Sequence, residues 1–480
     1  MKFQDHPFLV IILIALLSSP FATPSAAVSL DEYIKDIYPT HPKVKAIQLD
    51  QFIQEHEVLK AQSAGEWELQ LQPNARYTEP ISMNAFTASK QQNLGLNLSL
   101  NRRFLDSGRH LSILANSTQL NQSFPANNLG FEMGKGIHYQ QDVKLQLTQP
   151  LFRNERCVSE LPLLLAKERQ RWVQLQSKTQ LTGLLLEVIQ HYLDWVLYSE
   201  QVKLSERRLE IAQTQRRAIQ ERLNDHLVEK VDLIRSEDTL RLLIQQHYQY
   251  ESLLDSKRHF INTYVNEQLS ESDIPSYDLE SLPLPLSPDQ IELTNLPSVA
   301  QQALVLKQVD HQRKATETRL RPQVDMQIGA GLSGADSEWS DSFGISAPEL
   351  SVQWVYHRQA KQASTLAEMG ILTAKHSQAQ AQMDSQAQDA LAILNSLYVQ
   401  FDWLSKLITL QRAQISASQN TVQEEKTRYF QGRTPLTNLI QAQDSEQQAK
   451  LNLLLSQIQY HRLYNQYQAA SHTLALPGGS

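Results

Sequence analysis

Residues 423–467 read QEEKTRYFQGRTPLTNLIQAQDSEQQAKLNLLLSQIQYHRLYNQY, a helical pattern interrupted once, at 431–435 (QGRTP). Glycine adopts the left-handed conformation that ends a helix, and proline, with its fixed φ and no N–H to lose, suits the first turn of the next. The interruption therefore predicts a tight turn between two helices. Upstream, residues 371–431 run for 61 residues without Gly or Pro, enough for an unbroken helix of roughly 90 Å at about 1.5 Å per residue. No ordinary globular core is that long.

The pattern occurs twice. Moved back by 206 residues, Arg428, Leu439, Ile440 and Asp444 fall on Arg222, Leu233, Ile234 and Asp238. A second helix, turn and helix is therefore expected over 211–264, with its turn at 224–227. Other segments match in the same order, as in a two-fold internal repeat. Residues 29–62 read as an amphipathic helix with Ile47, Phe52, Val58 and Leu59 as apolar positions, and 67–79 switch to a period of two. The second half offers a helix over 298–319 and a strand over 320–333, Pro322 matching Pro73. Strands are expected at 143–152 (VKLQLTQPLF) and, 207 residues on, at 350–356 (LSVQWVY), each leading into a helix. Pro150 and Pro348 should mark strand ends or bends.

The halves differ in one place. Pro73 precedes Val143 by 70 residues but Pro322 precedes Leu350 by 28, so the first half carries an extra 42. Within them 93–104 and 109–120 alternate on either side of Asp106-Ser107-Gly108, the pattern of an added β-hairpin. Whether it lies in a membrane or outside one stays open. Leu391, Leu394, Tyr398, Phe401 and Ile408 form a heptad stripe, as do Leu181, Leu185, Val188, Tyr192 and Trp195, and such stripes require partner helices.

Lys2, the ten apolar residues 8–17 and Ser25-Ala26-Ala27 form the pattern of a cleaved secretory signal over 1–27. No later apolar run is long enough for a spanning helix, so the exported chain is either soluble outside the cytoplasm or crosses a membrane as a β-barrel. Cys157, the one cysteine, allows no intrachain disulfide. A net charge of −7 and a pI near 6.1 give no general signal for nucleic acid. The arginine pairs 207–208 and 216–217 lie in a stretch, 206–241, with eight basic and eight acidic residues, a self-compensating helix face. Residues 329–334 (GAGLSG) fit a dinucleotide-binding pattern, which needs a helix starting at the glycines. Here they lead into a polar stretch, so they read as a strand end and outer loop. No catalytic, cofactor-binding or metal-ligating residues are assigned.

The doubled order of elements, the stretch 147–152 (LTQPLF) before a helix, and Tyr429-Phe430-Gln431-Gly432 followed by Leu439-Ile440 resemble the TolC family of outer-membrane efflux and secretion ducts. The resemblance implies a mainly α fold with β: a two-repeat α-helical periplasmic barrel and a trimeric twelve-stranded outer-membrane β-barrel, four strands from each chain, with an extra hairpin in the first repeat. Residues 28–274 would form the first repeat, 275–297 a linker and 298–480 the second. It further implies a passive channel of a tripartite efflux or type I secretion system, with no enzymatic activity and no cofactor. Its partners would be two further copies of the chain, a periplasmic adaptor, an inner-membrane RND or ABC transporter and outer-membrane lipid.

Residue by residue, the adaptor-contacting tips correspond to His226 and Leu227 and to Gly432 and Arg433, with His226 standing where glycine is usual. The periplasmic aperture corresponds to Asn438 and Gln441, neutral amides in place of acids, to Asp232, which aligns with Asn438, and to Tyr429, which matches the gate tyrosine. Thr434 takes the place of the gate arginine. A secreted coiled-coil scaffold is the alternative, and it leaves the symmetrically placed alternating segments unexplained.

Overall fold

The computed structural model describes residues 27–81, 88–124, 136–152, 155–265, 269–270, 273–344, 347–358 and 362–475. The expected secretory signal lies outside them, apart from Ala27. In chain order the first-half elements are β1 (Ala27–Ser29), α1 (Leu30–Thr40), α2 (Pro42–Ser63), β2 (Trp67–Thr78), β3 (Lys90–Arg103), β4 (His110–Ser123), β5 (Gly136–Pro150), α3 (Arg156–Ser159), α4 (Leu161–Asn224), α5 (Lys230–Asn262) and β6 (Ile274–Ser276). The second half holds α6 (Pro297–Leu320), β7 (Gln323–Asp336), β8 (Ala347–His357), α7 (Ala363–Phe430) and α8 (Leu436–Ala470). These form two compact units, and both halves of the sequence contribute to each. One comprises Met1–Ile47, Thr179–Glu292 and Asp389–Ser480, the other Gln48–Lys178 and Leu293–Gln388.

The first unit is helical. Its core is built on the α4 stripe: Val188, Tyr192 and Trp195 are buried in one cluster with Tyr33, Ile37, Ile261, Leu454 and Ile458, against which Leu181 packs, and Leu185 is buried in a second with Ile189 and Leu193. The α7 stripe is only half enclosed. Leu394, Phe401 and Ile408 are buried, whereas Leu391 and Tyr398 remain open beside the exposed Ile393, Val399, Trp403, Leu407 and Leu410. This apolar helix face has no cover among the described residues.

The helix expected over 29–62 is broken at His41, which is extended at φ −64°, ψ 126°. Pro42 is the cause: its ring disfavours helical geometry in the residue before it, and it opens α2 instead. Of the apolar positions read in that helix, Ile47 and Val58 are buried, but Phe52 and Leu59 are exposed.

Charges and hydroxyls tie this unit together. Asp194 of α4 accepts from Lys257 of α5 at 2.7 Å and from Arg462 of α8. Burial pushes its carboxyl up, but the hydrogen bonds and the two cations outweigh that and hold it below the ordinary carboxylate range. The segment after β6 is strapped to α8, where Tyr460 and Tyr467 donate to the carbonyls of Pro283 and Leu286. Tyr192 directs its hydroxyl at Val28 O (2.8 Å) and Ser276 O (2.9 Å), joining the parallel pair β1 and β6 to α4.

The second unit holds a six-stranded sheet in the order β2-β3-β4-β5-β7-β8, antiparallel throughout. β2, β5, β7 and β8 are the four strands shared by the two halves. The added hairpin, β3 and β4, lies between the first two of them in the same sheet. Pro150 ends β5 and Pro348 lies at the start of β8, where a missing N–H disturbs the ladder least.

The glycines of 329–334 lie inside β7, so the expected strand end is corrected. Lys144 of β5 reaches across β7 to Glu349 of β8, Nζ to Oε2 at 2.9 Å. Gly331, between them, leaves the path open: a Cβ there would stand 3.1 Å from Lys144 Cγ.

Replacing Tyr192 by Phe removes a hydroxyl that lies within hydrogen-bond distance of both short strands. Tyr192→Phe is expected to keep the helical content and to lower stability by about 1–2 kcal/mol, read as a lower denaturant midpoint of the purified protein.

Candidate functional site

Alternation along each strand divides the sheet into two chemically different faces. The register places Trp67, Leu69 and Leu71 of β2 level with Arg102, Leu100 and Leu98 of β3, and Leu100 and Leu98 level with Ile113 and Ala115 of β4. The row continues through Leu145 and Val143 of β5, Ala330 and Leu332 of β7, and Leu350 and Pro348 of β8. This apolar face is open: Leu69 is 67% exposed, Leu145 46% and Leu350 79%. The other face carries Gln70, Gln72, Asn97, Asn101, Asn116, Asp142, Lys144, Gln146, Gln327, Ser351 and Gln353.

Aromatic residues bound the apolar band. Trp67, Trp354 and Tyr356 lie at the end where strands meet helices, and Tyr77 and Tyr139 at the other. Arg102 snorkels at the helix end, its guanidinium 5.6 Å from the Trp67 ring and 4.9 Å from that of Phe104. From Trp67 to Tyr77 the strand covers about 33 Å, or about 25 Å of height at a tilt of about 40°. The β3–β4 turn, at the helix end, takes six residues, 104–109, whereas the connections at the other end, 79–89, 124–135 and 337–346, take 11, 12 and 10. Shorter connections on one side than on the other are characteristic of outer-membrane barrels.

The two helix turns lie in the first unit and repeat one backbone. His226 has φ 58° and Gly432 φ 70°. In the first turn His226 N donates to Leu223 O and Leu227 N to Arg222 O, and in the second Gly432 N donates to Tyr429 O and Arg433 N to Arg428 O, at 2.8–3.1 Å. These bonds satisfy carbonyls that the helix ends leave free. A small core of Ile219, Tyr429, Leu436 and Leu439 packs with Val228, Leu233 and Ile440.

At the level of sequence no family model and no curated protein matches the chain. Solved structures do match over most of its length. The transmembrane channel protein CusC superposes with a TM-score of 0.67 at 12% identity, covering 92% of this chain and 91% of that one. The outer membrane protein VceC of Vibrio cholerae gives 0.67 at 9% identity over 92% and 95%. The MtrE outer membrane channel of Neisseria gonorrhoeae, in its open state, gives 0.63 at 14% over 92% and 88%. The chain has the TolC fold.

Within the TolC fold the residues aligned with tips and aperture fall into three groups. His226, Leu227, Gly432 and Arg433 are all exposed at the turns. Asn438 and Gln441 are exposed on α8, and Asn438 donates to Thr434 Oγ1 (3.0 Å), which in turn donates to Glu425 (3.2 Å). Tyr429 is 4% exposed, and its hydroxyl has no hydrogen-bond partner among the described residues. Burial, followed by the charge of Asp232, raises its pKa. Asp232 is itself largely covered and lies 3.9 Å from Arg235.

Sequence reading left two residues out of this site. Arg222 lies over the rings of Tyr429 (5.2 Å) and Phe430 (5.5 Å), a cation–π contact between the two turns. Glu425 holds both Thr434 and, at 3.6 Å, Arg428. The repeat pairs Arg222 with Arg428, each four residues before the left-handed position, and that pairing is the signal for Arg222, whereas Glu425 falls on Ile219 and has none.

The two turns give opposite tests. A left-handed residue with a Cβ costs about 1–2 kcal/mol that glycine does not, so Gly432→Val is expected to destabilise its turn by about 1 kcal/mol or more and His226→Gly to stabilise the other by about 1 kcal/mol. Amide hydrogen exchange at residues 222–228 and 428–434 reads both. Destabilisation by His226→Gly would mean that the imidazole makes a contact that outweighs the backbone strain.

Proposed function

We propose that the protein is an outer-membrane channel: a homotrimeric, passive duct through which cargo leaves the periplasm, with no reaction of its own. The observation that carries this reading is the exposed apolar face of the sheet, bounded by aromatics and backed by a polar face. Open leucines in that number are unstable against water and match hydrocarbon, while the glutamines and asparagines behind them suit a water-filled lumen. A secreted coiled-coil scaffold would have no use for such a face.

The trimer is favoured by the unpaired stripes. Ile393, Trp403, Leu407 and Leu410 on α7 and Leu242, Tyr248 and Leu253 on α5 are exposed, and neighbouring copies would cover them. The similarity to CusC, VceC and MtrE supports an outer-membrane location with the helical unit in the periplasm. As the duct of a tripartite efflux or type I secretion system, it would meet a periplasmic adaptor at His226, Leu227, Gly432 and Arg433, with an RND or ABC transporter in the inner membrane. Fractionation tests the core of this reading: a heat-resistant trimer recovered with the outer membrane is expected, and a soluble periplasmic protein would overturn it.

At the aperture, three-fold symmetry would turn Asp232 into a ring of three carboxylates, with Arg235 partly offsetting each. A mild cation preference is therefore expected in planar bilayers at low salt, screened at high salt and largely lost in Asp232→Asn. Unchanged selectivity in that variant would remove Asp232 from the aperture. Tyr429→Phe deletes a buried hydroxyl without a described partner, so conductance should rise only modestly, and a large increase would show that the hydroxyl latches the closed state.

A further inference from the structure

We infer that the membrane barrel of this protein is an eighteen-stranded ring, closed by pairing β8 of each copy with β2 of the next. The inference rests on the trimeric channel reading above and concerns the count and the seam.

Three features place the hairpin in the barrel wall. β3 and β4 are 14 residues each, as long as the strands around them. They pair along their length with β2 and β5. The alternation of β3 also continues the apolar face without a change of phase, Leu94, Leu96, Leu98 and Leu100 alternating with Asn93, Gly95, Asn97 and Ser99, and β4 adds Leu111 and Ile113 to that face. A hairpin standing in water outside the membrane has no requirement for four leucines on one side.

The seam follows from the edges. β2 and β8 flank the sheet and have no further strand partner among the described residues. With six antiparallel strands, the first and last run in opposite directions, so β8 against β2 of another copy continues the alternation. Both present their apolar residues, Leu69 and Leu71 on one and Leu350 and Val352 on the other, to the same face. In hydrocarbon every edge N–H and C=O must find a partner within protein, and six strands are fewer than the eight of the smallest membrane barrels. Pro73, in the edge strand β2, has no N–H. Proline is tolerated where that gap faces away from the existing ladder, so it removes one donor from the seam and leaves the rest. Three copies of the six-stranded sheet make eighteen strands. At strand spacings of about 4.8 Å and a tilt of about 40°, the ring has a backbone diameter of about 36 Å, against about 24 Å for twelve strands.

The test uses the full-length protein in outer membranes with Cys157→Ser, so that introduced cysteines are the only ones. Nitroxides at Leu96→Cys and Ile113→Cys are expected to be accessible to oxygen in lipid, those at Asn97→Cys and Asn116→Cys to a water-soluble nickel chelate, matching lipid-facing controls at Leu71→Cys and Leu145→Cys. Oxidation of double variants pairing Gln70→Cys or Gln72→Cys with Ser351→Cys or Gln353→Cys is expected to give a covalent trimer. Lipid access at Leu71 and Leu145 but water access at Leu96 and Ile113 would put the hairpin outside the wall and overturn the eighteen-strand ring while leaving the channel intact. A covalent dimer, or no cross-link in any pairing, would overturn the count or the seam. Water access at Leu71 and Leu145 as well would sink the channel reading itself.

Discussion

A sheet in a bilayer is subject to two requirements at once: each backbone N–H and C=O needs a partner, and each face must suit what it touches. Here the second is met by alternation within a single chain, leucine and valine on one side and glutamine and asparagine on the other. The first is met for the inner strands and left open at β2 and β8. No rearrangement of one copy can meet it, because six strands do not curl into a ring. On the channel reading, the open edges make assembly a condition of a stable fold in the membrane, and the half-exposed stripes of α5 and α7 carry the same condition into the helical unit.

The internal repeat is kept most faithfully in the backbone of the two turns. Both use a left-handed residue and the same pair of capping hydrogen bonds, yet one position is glycine and the other histidine. Side chains diverge further. Arg222 rests on two aromatic rings while its counterpart Arg428 faces Glu425, and Asp232 stands where the second turn has Asn438. Duplicated geometry with unequal chemistry gives each chain one acidic and one neutral position at equivalent sites, and a symmetric ring built from such chains has fewer fixed charges than two matched turns would provide.

What was legible in the sequence is what local chemistry dictates. Gly432 and Pro435 announced a turn, and alternation at 93–104 and 109–120 announced a hairpin, because these signals depend on neighbours a few residues away. The hairpin's place in the sheet was not legible, since period two is the same whether a strand lies in a wall or beyond it and only its partners decide. The single helix expected over 29–62 passes through Pro42, although the proline acts on His41, and Phe52 and Leu59 are apolar positions that stay exposed, since an apolar residue on a helix does not reveal whether its partner belongs to the same chain. Arg222 escaped because a cation–π contact joins two turns some 200 residues apart in sequence.

The inserted hairpin also explains why the two halves could diverge in the sheet without losing their common plan elsewhere. One extra strand would leave β2 and β8 parallel and forbid antiparallel closure, so an insertion must come in even numbers, of which a hairpin is the smallest. With the short turn at 104–109 on the helix side, the chain enters at Trp67 and leaves at Pro150 on the same side as before. Those two points now stand three strand spacings apart, about 14 Å instead of about 5 Å. On the channel reading that widening falls on the helical segments that join the strands, among them α2, which leads into β2 and carries Leu49, Phe52, Ile53 and Leu59 on its exposed surface.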